Sequence, residues 1–398
     1  MEGFILEWLN LLGRWVHIIT GIAWIGASFY FVFLDRSLEP PKKAEDAEKG
    51  VSGEIWSVHG GGFYHAQKYQ LAPAELPKTL HWFKWEAYST WLSGMFLFGL
   101  IYWYGAELYL IDSSVMALSQ ASAILISIGF IVGGWIFYDL LCKSALSKKE
   151  NLFAFIMLIF VSVAAYALCQ IYSGRGAYIM FGAMLGTIMV GNVFFVIIPG
   201  QKDLVKAKVE GREPDPIHGI RGKQRSVHNT FFTLPVLFVM ISNHYAMTFG
   251  NEYNWLILIA ISVSGAMIRV FFVSRLGGGK PATGILMGGI AILIITSGAM
   301  AFVSFSGAES TAVKVDNAKI ESIIEQRCNV CHSSQPTQPG FMVAPKGVIY
   351  DNMAQILAQA ALINQQAVVS KVMPLGNMTG ITDEERKMLG DWFQSLNK

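Results

Sequence analysis

Leu152-Phe153-Ala154-Phe155-Ile156-Met157-Leu158-Ile159-Phe160-Val161-Ser162-Val163-Ala164-Ala165-Tyr166-Ala167-Leu168-Cys169-Gln170-Ile171-Tyr172 contains no charged residue. At 1.5 Å per residue, a helix of this length covers the roughly 30 Å of hydrocarbon in a bilayer. Comparable runs occupy 9–34, 86–110, 118–142, 176–199, 229–249, 254–273 and 283–305, so with 152–172 eight spans are expected. Composition agrees. Of 398 residues, 53% are hydrophobic and only 15% charged, where soluble proteins carry about a quarter charged. A disordered or fibrous chain and a single soluble globule are excluded. The net charge of +2 gives no sign of a nucleic-acid partner, and none is expected. The first run follows Glu2 and Glu7 rather than a basic region, so it is read as a retained span and not as a cleaved signal.

Lysines and arginines set the expected orientation, because they collect on the cytoplasmic side. Arg36, Lys42, Lys43, Lys49, Lys68, Lys78 and Lys84 lie between the first two spans. Lys143, Lys148 and Lys149, then a second cluster from Lys202 to Arg225, and finally Arg275 and Lys280 occupy the alternate connections. The intervening connections near 111–117, 173–175 and 250–253 contain only Arg175. Both termini are therefore expected outside the cytoplasm. Residues 1–305 are read as an eight-span domain and 306–316 as a polar linker. Residues 317–398, with a balanced charge, are read as an extracytoplasmic domain.

Four cysteines occur. Cys142 and Cys169 sit alone in apolar runs and read as small buried residues. Cys328-Asn329-Val330-Cys331-His332 is the C-x-x-C-H attachment signature of a c-type haem. Two thiols at this spacing can each form a thioether to the porphyrin, and His332 is then placed to ligate the iron. A redox dithiol or half of a zinc site are the competing readings. No second C-x-x-C pair accompanies the motif. Residues 317–327 read as a helix with Ile320, Ile323 and Ile324 on one face. Thr382-Asp383-Glu384-Glu385 has capping-box spacing for a last helix, with Met388, Leu389, Trp392, Phe393 and Leu396 as its apolar stripe. This order, with Met373-Pro374 between, resembles class I cytochrome c. By that resemblance Met373 is the distal iron ligand, with Met378 as its rival.

Further strings carry a wider resemblance. They are Trp15-Val16-His17 through Trp24-Ile25-Gly26; Gly53-Glu54-Ile55-Trp56-Ser57-Val58-His59-Gly60-Gly61-Gly62-Phe63-Tyr64-His65; and His228-Asn229-Thr230 through Ser242-Asn243-His244-Tyr245. With these, the whole chain resembles the bacterial membrane-bound, cytochrome c-linked urate oxidases, the PuuD-type urate hydroxylases. The resemblance implies an all-α fold: an eight-helix transmembrane bundle followed by a class I-like cytochrome c domain, in a bacterial inner membrane with both termini periplasmic. It implies oxidation of urate with water to 5-hydroxyisourate. Electrons would pass through one covalent haem c to a downstream cytochrome c or terminal oxidase, and not directly to oxygen. The rival readings are a quinol-type dehydrogenase of another small molecule and an electron-transfer or anchoring subunit.

Polar residues at membrane depth are functional candidates. His17 and His244 fall towards the outer ends of their spans, and His81 and His228 towards the inner ends. His228 and His244 are sixteen residues apart, roughly 24 Å along a helix. The histidines are candidates for a haem b in the membrane domain or for the urate site, and the alternative is helix-to-backbone bonding. The segment from Glu54 to Tyr69 offers aromatics to stack on a purine, or forms a hairpin over the bundle. Asn192, Asn229 and Asn243 suit interhelical bonds or a ligand. Arg269, near the inner end of its span, is expected to snorkel.

Overall fold

The computed structural model describes residues 2–276, 280–306 and 315–396. Every long apolar run is helical, as a chain in hydrocarbon must be if its backbone groups are to be satisfied within the segment. The helices are α1 (Glu2–Ser37), α2 (Trp85–Phe98, prolonged by a π-turn at Gly99–Trp103), α3 (Gln120–Lys143), α4 (Glu150–Ile171), α5 (Gly174–Val209), α6 (Pro216–Ser242), α7 (Asn254–Ser274) and α8 (Thr283–Ser306). Ser119, Ser173 and Asp215 cap the starts of α3, α5 and α6 through their side-chain oxygens, and Pro216 follows its cap at the first helical position.

Six of these helices are long and apolar enough to cross a membrane: α1, α3, α4, α5, α7 and α8. The other two expected spans are present as helices, with a physical reason for falling short. In α2 the helical turns run on from Trp85 to Trp103, but the first half carries Glu86, Ser89, Thr90 and Ser93 and is too polar. In α6 the helix starts thirteen residues before the apolar run and carries Arg221, Lys223 and Arg225. Both pack within the bundle, α2 on α1 and α6 on α5 and α7.

The centre is α5, with 61% of its most apolar stretch buried, against 6% for α1 and α8. Outward apolar faces on α1 and α8 are what hydrocarbon around the bundle would cover. The interior holds Tyr138, Leu168, Tyr178, Phe181, Met184, Leu185, Ile188 and Leu258. A side chain at Gly182 would collide with Val239, so α5 and α6 can approach here only through the glycine.

The all-α expectation needs one correction. Val51–His59 (β1) and Gly62–Tyr69 (β2) form an antiparallel hairpin in the register Glu54↔Gln67, Trp56↔His65 and Val58↔Phe63. Gly60 (φ 58°) and Gly61 (φ 81°) make its two-residue turn. Two successive positive φ values demand glycine, and this turn matches the twist of the strands. Lys68 Nζ lies 2.6 Å from Asp35 Oδ1, tying the hairpin to the end of α1 at the cation-rich end of the bundle.

Residues 315–396 form a second core around Ile320, Ile324, Ile356, Ile363, Leu389 and Trp392. Its first helix, α9 (Asn317–Arg327), is clasped to its last, α11 (Asp383–Leu396), by Trp392 Nε1 donating to Asn317 Oδ1 at 3.0 Å, with α10 (Met353–Ala358) between. Most of the expected linker 306–316 lies outside the described residues. The C-terminal domain rests on the cation-poor end of the bundle. Val372 packs against the bundle core. Gly376 (φ 56°) passes so close that a Cβ would lie 2.6 Å from the carbonyl of Ile111, and a Cβ on Gly250 would collide with the carbonyl of Ser370.

Candidate functional site

The C-x-x-C-H run follows α9 directly. Cys328 N donates to Ile324 O at 2.8 Å, and His332 N to Cys328 O at 2.9 Å, so one tight turn carries both thiols and the imidazole. Both cysteines are free thiols. Burial pushes the Cys328 thiol up to about 12, against the nearby Arg386, and burial also raises Cys331. A redox dithiol works through a depressed thiol, so this environment disfavours that reading. Among the described residues, no three His, Cys, Asp or Glu side chains converge to hold a metal ion, as a zinc site would need.

The donor set fits a covalently attached haem. His332 Nδ1 lies 3.0 Å from Val348 O. Donating there fixes the tautomer and leaves the Nε2 lone pair for iron. Burial lowers the imidazole below its usual range, which keeps it a neutral ligand, against that same bond. Asn329 Oδ1, inside the motif, is buried without a partner. Met373 is half-buried and Met378 exposed. Met373 is held through its backbone: its N donates to Gln366 O at 3.1 Å and its O accepts from Arg386 Nη1 at 2.8 Å. The expected capping box is formed in both directions, Glu385 N to Thr382 Oγ1 at 3.2 Å and Thr382 N to Glu385 Oε2 at 2.9 Å. Glu385 also pairs with Arg327.

Val372 and Gly376 flank Met373 and Pro374 and face the bundle, so this is the loop that docks. On the bundle side, Arg175 lies over the Tyr109 ring at 4.8 Å and donates from Nε to Tyr102 Oη at 3.3 Å. Tyr102 Oη in turn donates to Asn243 Oδ1 at 3.4 Å.

The four candidate histidines separate. His17 Nδ1 meets Thr90 O and Ser93 Oγ, each at 3.1 Å, and its Cε1 comes so close to Gly94 that a Cβ there would lie 2.9 Å away. His244 is exposed past the end of α6. His228 is partly buried, stacked on Phe153 at 4.6 Å, with Nδ1 2.8 Å from Tyr138 Oη. His81 is exposed, 3.9 Å from Glu86 Oε1. Each level therefore holds one imidazole inside the bundle and one at its surface. No hydrogen bond or ring contact joins His17 to His244 or His81 to His228 among the described residues.

Around His228 lies a polar network that the sequence did not single out as a unit. Arg225, 3% exposed, donates to Asn192 Oδ1 at 3.1 Å and Asp139 Oδ1 at 2.7 Å. Asn192 Nδ2 donates to Tyr138 Oη at 3.0 Å and Asn229 Oδ1 at 2.8 Å, and Asn229 Nδ2 to Met189 O at 3.0 Å. Asn192 opens the π-turn Asn192–Ile197 within α5, a distortion that frequents functional sites. Arg225 had counted only as a loop cation. The available signal was its spacing from His228 and Asn229, which puts all three on one helix face.

On the hairpin, Trp56 stacks on His65 at 4.3 Å, so one face of that indole is already taken. His65 Nε2 lies 2.9 Å from Glu54 Oε2. The Lys42 backbone N–H holds the Glu54 carboxyl below the usual range, against burial and with help from Gln67 and His65. The segment forms the hairpin that was one of its two readings, with Trp56, Phe63 and Tyr64 exposed on it. Arg269 does not snorkel: it is 7% exposed, with its guanidinium 3.7 Å from the Phe29 ring centre.

Among curated proteins and among solved structures, nothing matches the chain. The family model described as urate oxidase N-terminal matches residues 3–301, all eight bundle helices up to the last turn of α8 and nothing of the C-terminal domain. That is well over half of the 398 residues, and the chain belongs to the urate oxidase N-terminal family.

Proposed function

We propose that this chain is a membrane-bound enzyme that oxidises urate with water to 5-hydroxyisourate and passes the electrons outward through its own C-terminal domain. The reading combines the family match over 3–301 with the fused C-x-x-C-H domain. The observation that carries it is the docking of the Met373 loop onto the cation-poor end of the bundle, through Val372 and Gly376, beside Tyr109 and Arg175. A redox domain that served only a separate partner would have no need to turn this loop towards its own bundle.

The balance is simple. Urate loses two electrons, water supplies the hydroxyl oxygen, and two protons are released. When bound, haem c would take the electrons one at a time and pass them to a downstream cytochrome c or terminal oxidase, so oxygen is not the direct acceptor. Cys328 and Cys331 would hold it through thioethers. His332, oriented by Val348 O, and Met373 would complete the iron, and a thioether opposite histidine raises the potential. Arg327, Glu385 and Arg386 hold the loop and last helix that present Met373. The C-terminal domain rests on the end of the bundle away from the cation-rich connections, which supports a periplasmic location for it at an inner membrane.

The test is an anaerobic visible spectrum of the purified chain before and after adding urate, with a pyridine haemochrome on the same sample. Growth of the reduced c-type band is expected, with no b-type component. A haem that dithionite reduces and urate does not would overturn the assignment.

A further inference from the structure

Arg269 is the one arginine of the described bundle that is buried with unpartnered donors. Its Nε and Nη2 are both buried and unbonded, and no carboxylate pairs with it among the described residues. A buried cation without a counter-charge is costly, and a native structure rarely keeps one without use. The two unsatisfied atoms are not a random pair. Nε–H and one Nη2–H point the same way from one edge of the guanidinium plane. That edge is the fork that takes two adjacent acceptors of a planar anion.

The surroundings shape the ligand. Phe29 of α1 covers one face of the guanidinium. On α7, Ser262 shares the Arg269 face two turns away, and its Oγ is also buried without a partner. Between them Gly265 lets α6 pass close, its Cβ position 3.2 Å from Leu234 Cβ. The opposite face of α7 is taken by α8, where Ser264 Oγ donates to Gly289 O at 2.7 Å. Two orphaned polar groups thus share one face of α7, and the Arg269 end of that face meets α1 at Phe29, near the cation-rich end. An in-plane donor pair suits an anion that presents two adjacent coplanar acceptors.

The geometry points to Arg269 as the capture site for a planar anion that presents two adjacent acceptors, a carboxylate or an amidate N–C–O edge. Resting on the proposed function, that anion is urate, entering from the cation-rich side. The proposal concerns capture and includes no redox step. Phe29 covers one face of the guanidinium and leaves its in-plane edge for the anion.

The test is thermal unfolding of the full-length, haem-loaded chain in detergent, with and without urate, for the unsubstituted protein and for Arg269→Met and Arg269→Lys. Urate is expected to raise the Tm of the unsubstituted chain. Arg269→Met should raise the Tm without ligand, since it removes an unpaired buried charge, and abolish the urate shift. Arg269→Lys keeps the charge but loses the fork, and should weaken urate about 10- to 100-fold. Absence of a urate shift in the unsubstituted chain overturns the site, as does a shift that survives Arg269→Met. A shift produced equally by inorganic phosphate or phosphatidylglycerol, with no competition by urate, assigns Arg269 to phosphate and also overturns it. Urate-driven haem reduction is read separately. If it fails while the Arg269-dependent urate shift persists, the oxidation reading falls and the capture site stands. If reduction proceeds and the shift is Arg269-independent, the reverse holds.

Discussion

Arg225 Nη2 donates to Asp139 Oδ1 at 2.7 Å, with side chains only 4% and 14% exposed, and this pair joins α6 to α3 in the interior of the bundle. Lys143 Nζ reaches the other Asp139 oxygen at 2.6 Å. Removing one member strands a buried charge, whereas removing both does not. Asp139→Ala should therefore cost about 3–5 kcal/mol, and Arg225→Met combined with Asp139→Leu should recover most of that. Thermal unfolding of the detergent-solubilised chain checks this. An Asp139→Ala protein as stable as the parent would show that the network is not structural.

Met373 and Met378 make different predictions for the iron. Met373 sits half-buried in the docking loop, while Met378 is 38% exposed. Met373→Leu should lower the haem midpoint potential and let exogenous carbon monoxide bind the reduced iron, because the thioether that favours the reduced state is gone. Met378→Leu should change neither. A potentiometric titration of the two variants decides, and the opposite pattern would transfer the ligand role to Met378.

Stability of the C-terminal domain should fall in acid through Glu385. Burial works to raise its carboxyl, but the Thr382 N–H and the Arg327 guanidinium outweigh it and hold the group below its usual 4.5. A folded-state pKa below the unfolded one contributes stability that is fully present above the unfolded value and is lost as pH falls through the folded one. The loss should thus begin near 4.5 and continue below it. Glu385→Gln should remove about 1 kcal/mol at neutral pH and flatten this part of the profile. Denaturant unfolding followed through the haem absorbance, from pH 7 to pH 3, reads both; an unchanged slope in the variant would assign the acid transition to other groups.

The long apolar runs and the Cys328–His332 motif were legible because each is contiguous. A bilayer-spanning length, a C-x-x-C-H spacing and the Thr382–Glu385 capping box depend only on neighbours in the chain; six of the eight expected spans are long and apolar enough to cross a membrane, and the capping box is formed. The C-terminal domain rests on the bundle end that carries the cation-poor connections. What the chain could not announce is how each helix turns about its axis and where it stands in depth. That rotation pairs Arg225 with Asp139, and it turns Arg269 onto Phe29 rather than out to the surface. It separates His17 from His244, which share an expected level but not a contact. The π-turn at Asn192 is equally non-local: it is kept where Tyr138, Arg225 and Asn229 supply bonds from two other helices. Composition and spacing therefore determined the class of protein and located its C-x-x-C-H motif. The interior pairings, on which capture and stability depend, were decided only when helices far apart in sequence came to lie side by side.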